Sequence, residues 1–421
     1  MKILKHTSAR PSKELSASDS LGIYISIPFC RAKCSYCNFA SGVFGSERML
    51  RYVDRLTTEI RSTRPRAEKW SASVSKTIDS IYFGGGTPSL LNQLQMRQIL
   101  QAIQEEFSFS CPAEITLECA PGQLGDELLE ALPALGFNRV SLGVQTFVDR
   151  EAKAVGRLHT RAIALQEIAR LRNVGIQNIN VDLIAGLPHQ TSESWQASLE
   201  QAIDTGVPHL SVYMLDVDED SRLGREMLAG GTRYGVGMVP NAETIAAMYN
   251  EACEQFPSAG IAQYEISNFA QPGYKSSHNL KYWKRQPYLG FGLDAHSFLP
   301  TLDGTAIRVG TTDDLTAYLN HGAQETITRV STAEAIEEAW FLGLRLSAGI
   351  SLAEMEREIG PAAMSAFRPV LLECEDRELL EVRGGNVCLT QRGRLFANEV
   401  FAGFLGVLDS EPEMNKQGAL A

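Results

Sequence analysis

The sequence predicts an α/β fold: a partial (β/α)6 barrel, then an additional α+β segment and a small C-terminal winged-helix-like domain. Three observations point there. Six short β-rich runs alternate with amphipathic stretches between Gly22 and about Asp216, the pattern of repeated strand and crossover-helix units. The chemically unusual residues fall just after those runs, where a parallel βα architecture places its catalytic face. A chain of 421 residues is also too long for one ordinary core.

The first twenty residues are polar and lack the apolar stretch of a secretory signal, so 1–20 reads as a mobile tail. The runs "GIYISI", "SIYF", "EITLE", "RVSLGV", "NINVDLI" and "HLSVYM" are rich in β-branched and aromatic residues and read as strands. Between them, "SERMLRYVDRLTTEIR", "LNQLQMRQILQAIQEEF", "RAIALQEIARLRNVG" and "SESWQASLEQAIDTG" carry helical periodicity, the last two closed by a glycine suited to a helix end. The barrel is expected over 21–221. A looser Gly- and Tyr-containing stretch, 222–325, is expected to extend it. From 326 to 405 the order helix, short helix, two strands around "RGG", helix suggests the winged-helix-like unit, and 406–421 reads as a tail.

Hydrophobic content of 44% with 21% charge is that of a globular protein, and no apolar run approaches membrane-spanning length. The expected compartment is the cytoplasm; peripheral membrane contact is compatible with this composition. A net charge of −11 argues against a phosphate-backbone partner. So does the C-terminal unit, with 8 Arg and Lys against 12 Asp and Glu over 326–405; a nucleic-acid role is therefore not expected. Eight cysteines are too sparse for a disulfide scaffold. Cys111, Cys119, Cys253, Cys374 and Cys388 are expected to be buried small hydrophobes.

The other three, Cys30, Cys34 and Cys37, lie within eight residues in "FCRAKCSYCNF", and Phe39 stands where a further ligand would fit the spacing. Structural zinc sites usually take four protein ligands in two pairs, and no second pair is visible. A [4Fe–4S] cube held by three cysteines keeps one iron open to a small molecule. A zinc site or accidental spacing is the alternative. After the second run, Gly84, Gly85, Gly86, Thr87 and Pro88 form a loop whose glycines let backbone approach a ligand; a plain turn is the bland reading.

This combination resembles the radical SAM superfamily. The resemblance implies that S-adenosylmethionine (SAM) completes the open iron, and that electron transfer from the cluster then gives a 5′-deoxyadenosyl radical. It implies that Gly85, Gly86 and Thr87 meet the methionyl end, that Glu118, Gln145, Arg157 and Asp182 contact SAM, and that Tyr24 and Tyr36 are its aromatic neighbours.

The likeness extends through "VSLGVQTF", "GRLHTR", "NVDLIAGLP" and "YEISNFAQPGYKSSHNLKYW" to the oxygen-independent coproporphyrinogen III oxidase-like group, over roughly 21–405. Decarboxylases of that group carry a CxxxCxxCxC motif and a long N-terminal extension. This chain has Phe39 at the extra cysteine and instead resembles the HemW-type haem chaperones, with an HNxxYW motif at His278, Asn279, Tyr282 and Trp283. That resemblance implies haem as cargo, with His278 as an iron ligand, Asn279 orienting it and two flat aromatic faces beside the macrocycle. It also implies delivery to apo-haemoproteins such as respiratory enzymes, and a flavodoxin- or ferredoxin-type electron donor. Coproporphyrinogen III oxidase activity is the alternative. His296 is a second candidate ligand or a structural imidazole, the structural role being the expected one; Cys119 and Cys253 are further possible iron ligands that nothing around them singles out.

Overall fold

A computed structural model of the chain describes residues 20–408. The tails expected at 1–20 and 406–421 lie outside the described residues except for Ser20 and 406–408.

Six parallel strands form the centre: β1 (Leu21–Ile27), β2 (Thr77–Gly85), β3 (Ser108–Cys119), β4 (Arg139–Gln145), β5 (Asn178–Ala185) and β6 (His209–Met214). They pair in chain order, each with the next. All six were legible as runs because strands covered on both faces are nearly continuously apolar; in β1 only Tyr24 escapes full burial. The helix Ser46–Arg61 covers the sheet through Tyr52, Val53, Leu56 and Ile60, each such side chain contributing about 1.5–3 kcal/mol on burial. Helix starts are set locally. Asn92 and Gln95 form a reciprocal capping box at 2.9 Å in both directions, and Thr160 and Thr191 cap the helices that begin at Arg161 and Ser192.

The stretch after 221 continues the same sheet at both edges. β7 (Ala262–Gln263) and β8 (Asn268–Ala270) extend it antiparallel beyond β6, and β9 (Tyr288–Phe291) pairs parallel with β1 through Gly22↔Tyr288 to Ile25↔Phe291. β10 (His296–Pro300), β11 (Ala306–Gly310) and β12 (Thr326–Val330) follow antiparallel, giving the sheet 12 strands among the described residues. These added strands hold two to five residues each, too few for a period-2 pattern to stand out.

The short helix Ser277–Trp283 lies beneath the barrel at the amino-terminal half of the strands. Glu114 of β3 accepts hydrogen bonds from the N–H groups of Ser277 and His278 at 3.0 and 3.1 Å, an anionic cap on a helix start. Lys281, buried, pairs with Asp79 at 2.8 Å.

A second core lies in the C-terminal unit, where Trp340 packs on Phe367 and Phe404 at 5.4 and 5.3 Å between ring centres. Its three-stranded sheet joins β13 (Ile350–Ser351), β15 (Asn386–Leu389) and β14 (Leu380–Arg383). The unit docks on the barrel through Arg345, whose guanidinium stands 4.3 Å over the Trp283 ring. Backbone bonds Ile266 N–Arg345 O (3.1 Å) and Ser347 N–Tyr264 O (3.0 Å) accompany it.

Among the described residues no helix is long and apolar enough to cross a membrane. The cysteine expectation needs correction at two positions. Cys111 is exposed and Cys253 half-buried, whereas Cys119, Cys374 and Cys388 are buried; Cys111 precedes Pro112 in an open part of β3.

Trp283→Ala should remove the ring on which Arg345 rests and loosen the C-terminal unit by about 2–4 kcal/mol. Limited proteolysis is expected to release a C-terminal fragment faster than from the wild type, with iron content after anaerobic reconstitution unchanged. Loss of iron in parallel would place Trp283 in the cluster region instead.

Candidate functional site

The carboxyl ends of β1–β6 open into a cavity of about 510 Å³ lined by the cysteine loop, the glycine loop and the ends of β3, β4 and β5. The cysteine loop is fixed by its backbone. Cys30 N–H donates to Gly42 O (2.9 Å) and Ser35 N–H to Val155 O (3.1 Å). From the next layer, Leu223 N–H and the Arg222 guanidinium donate to Ser35 O and Lys33 O at 2.8 and 3.3 Å. Lys33 turns back onto Phe39 O and Ser41 O at 3.0 and 3.1 Å. A loop held this way presents its thiols at low entropic cost.

The glycine loop is welded to the same strand end. Gly86 N–H donates to Ile27 O (2.9 Å) and Thr87 N–H to Phe29 O (2.8 Å). A Cβ at Gly86 would come within 2.8 Å of both carbonyl oxygens, so only glycine fits there. Gly85, at φ +99°, turns the chain in the left-handed region. Thr87 Oγ1 then sits 3.7 Å from Cys30 Sγ, and Arg157 Nη1 reaches Cys34 Sγ at 3.5 Å from the far side.

The cavity floor holds two carboxylates. Glu118 is pushed up to about 7, first by burial and then by the Asp182 carboxylate, although the Tyr82 hydroxyl and Gly85 N–H hydrogen-bond it. Burial also raises Asp182, against hydrogen bonds from Asn180 Nδ2 (2.7 Å) and Ser141 Oγ (3.2 Å). Asn180 is itself held by His209 at 2.6 Å, and His209 by the Tyr264 hydroxyl at 2.9 Å. The sequence reading missed Ser141, Asn180 and His209; their alternation with Asp182 on neighbouring strands was the available signal. Four residues lining the cavity carry a buried polar atom with no partner among the described residues: Ser41 Oγ, Gln123 Oε1, Gln145 Oε1 and Arg157 Nε. Gln145 also adopts a left-handed φ of +72°, the kind of local strain found at ligand sites.

These residues fit a polar, partly cationic ligand: two carboxylates, an unpaired amide oxygen and an arginine fork surround one space. Tyr36 lines it as well. Tyr24 stands one strand over, 6.2 Å from Tyr82, and lines a neighbouring cavity instead. Among the described residues no three His, Cys, Asp or Glu side chains converge on one point as a single ion requires. The loop carries three thiols, one fewer than the four protein ligands a structural zinc usually takes, and a [4Fe–4S] cluster held by three cysteines keeps one iron open.

The HNxxYW residues are not together in a ligand pocket. His278 is 1% exposed, and both ring nitrogens are engaged, Nδ1 with Ser80 Oγ (3.0 Å) and Nε2 with the Tyr282 hydroxyl (2.8 Å). Burial lowers its pKa to about 3, so it is a neutral core imidazole stacked on Tyr82. In this geometry it has no nitrogen for iron. Asn279 contributes its backbone N–H to the helix cap at Ser276, and Trp283 faces Arg345 of the C-terminal unit. Of the four, Tyr282 lines a cavity of about 320 Å³, which shares Phe39 and Gly85 with the larger one. His296 has a side chain 67% exposed and lines that smaller cavity. Asn38, also exposed, donates to Asp218 at 2.8 Å.

Residues 24–202 match the Radical SAM superfamily and residues 330–396 the HemN C-terminal domain. The heme chaperone HemW of Bacillus subtilis is 35% identical over 394 residues, spanning 91% of this chain and 99% of the relative. The heme chaperone HemW of Lactococcus lactis is 31% identical over 91% of this chain and 96% of the relative. Among solved structures, the fold matches coproporphyrinogen III oxidase (HemN) of Escherichia coli with a TM-score of 0.76, covering 93% of this chain and 91% of that one at 21% identity.

Glu118 binds its proton more tightly in the folded chain, with a pKa of about 7, than in the unfolded one, at ~4.3. Its contribution to stability is therefore full below that lower value and is lost as pH rises through about 7. Glu118→Gln, measured without added SAM, should raise stability at pH 8 by about 1–3 kcal/mol, allowing for cavity water, and by little at pH 5. An equal gain at both pH values in chemical denaturation would remove the carboxylate as its cause.

Proposed function

The chain belongs to the HemW family within the radical SAM superfamily, and from that premise we propose that it is a haem chaperone, binding haem and passing it to apo-haemoproteins, respiratory enzymes among them. The carrying observation is that similarity to HemW proteins runs from the cluster loop to the C-terminal unit, with Phe39 where the decarboxylase pattern has a further cysteine. The working compartment in this reading is the cytoplasm.

Superfamily membership brings a [4Fe–4S] cluster and SAM as general cofactors. In the proposed arrangement Cys30, Cys34 and Cys37 hold the cluster, and the amide edge of Gly85, Gly86 and Thr87 meets the methionyl group. The carboxylates of Glu118 and Asp182 suit an ammonium or ribose hydroxyls, while Gln145 Oε1 and the Arg157 fork offer the remaining hydrogen bonds. Tyr36 closes the near wall, and Tyr24 lines the adjoining smaller cavity. When bound, the cluster and SAM together supply one-electron chemistry. A flavodoxin- or ferredoxin-type donor would feed it. The residues' own work is to bind, orient and exclude water.

The protein reconstituted anaerobically with iron and sulfide, then supplied with SAM, a reductant and coproporphyrinogen III, is expected to form no protoporphyrinogen and to carry haem through gel filtration. Stoichiometric protoporphyrinogen would establish the oxidase reading in its place. Cys34→Ala should lose most of the iron yet retain haem; loss of both together would mean that cargo binds on the cluster itself.

A further inference from the structure

The smaller cavity lies between β1, β9 and the turn into β10, and its walls are flat. Tyr282 and Tyr288 meet edge to face with centroids 4.6 Å apart. Tyr24 forms the inner wall, and Phe39, 62% exposed, stands at the junction with the SAM-sized cavity. A phenyl ring left this open in a junction costs apolar exposure unless something planar covers it. The volume, about 320 Å³, is at the low end for ligand cavities. It houses one edge of a macrocycle and leaves the rest outside, as suits cargo that must leave again.

Among the described histidines, His296 is the one that lines this space. His159 is buried and bonded to Val144 O at 3.1 Å, and His209 and His278 have both nitrogens engaged. His296 heads β10 at the cavity rim. Its neighbour across the antiparallel pair is Gly310, where a Cβ would stand 3.2 Å from ring atoms Nδ1 and Cε1. Glycine at that position gives the imidazole a flat bed. Asp294, held at a left-handed φ of +52°, keeps its carboxylate 3.7 Å from His296 Nε2. The contact is electrostatic at that separation, and a small movement would let Nε2–H donate to the carboxylate while Nδ1 takes the iron.

We infer that His296 is the axial ligand for haem iron, with the macrocycle edge between Tyr282, Tyr288 and Phe39. The inference rests on the haem-chaperone reading. The HNxxYW histidine then has a different role, since His278 holds the Tyr282 hydroxyl and so sets the angle of one wall. The ligand's chemistry is an iron tetrapyrrole, because the donor is one imidazole and the surfaces beside it are aromatic.

The test is a haem titration of the full-length, anaerobically reconstituted protein, followed by the Soret band and the EPR of the ferric complex. Wild-type protein should give an imidazole-ligated spectrum. His296→Ala should bind haem at least tenfold more weakly or without that signature, and free imidazole should restore it. Iron and sulfide content and far-UV circular dichroism should match wild type, which separates ligand loss from misfolding. His278→Phe, retaining a buried ring, should keep the imidazole signature. If wild type binds haem and His296→Ala gives the same spectrum and affinity, the assignment to His296 is wrong and the chaperone reading stands. If wild type binds no haem, the reading fails and takes the assignment with it.

Discussion

Two backbone hydrogen bonds, Gly86 N to Ile27 O and Thr87 N to Phe29 O, set the position of everything chemical in this molecule. They prolong the β1–β2 ladder past the sheet and lock the cysteine loop against the glycine loop. With a side chain at residue 86 the two segments would have to part, since a Cβ there would meet both carbonyls. Because the loops are locked, Thr87 comes up to Cys30, while Arg157 can reach Cys34 only from the opposite wall. The space between stays open as a cavity rather than closing into a packed turn.

That space is kept open against ordinary folding forces. Two carboxylates share a low-dielectric floor, and an amide oxygen and a guanidinium nitrogen have no partner among the described residues. Such groups lower stability until a ligand satisfies them. The support behind them runs from Asp182 through Asn180 and His209 to Tyr264, so the carboxylate orientation is fixed from β6 and the segment beyond it. The surrounding apolar core, which extends through all six central strands, supplies the rigidity that such a site needs.

The helix carrying HNxxYW shows how one short motif can serve several parts of the fold at once. Glu114, Asp79 and Ser80 anchor it below the barrel, and the consequence appears one turn on, where Tyr282 is aimed at the smaller cavity and Trp283 at the C-terminal unit. One short element thus couples the barrel interior, an aromatic slot and the docking of the second core. Phe39 completes the slot from the cysteine loop, so replacing a potential thiol by a ring changes what the junction can bind.

What the sequence determined by itself was local: the six central strands, the helix over Ser46–Arg61, the thiol triplet and the glycine loop. Each is written within a few consecutive residues, as hydrophobic period, cap or ligand spacing, and each was readable before any contact was known. Tertiary structure alone decided which side chains remain available. The bond that engages His278 comes from Ser80, 198 residues away, and β9 joins β1 across a still longer stretch of chain; neither leaves a trace in local pattern. His296 sits in an ordinary-looking strand start, and its openness depends on a glycine across the ladder and on walls from three other segments. Burial and hydrogen-bond occupancy are sums over the whole fold, which is why the same residue type proved a core filler at 278 and an exposed imidazole at 296.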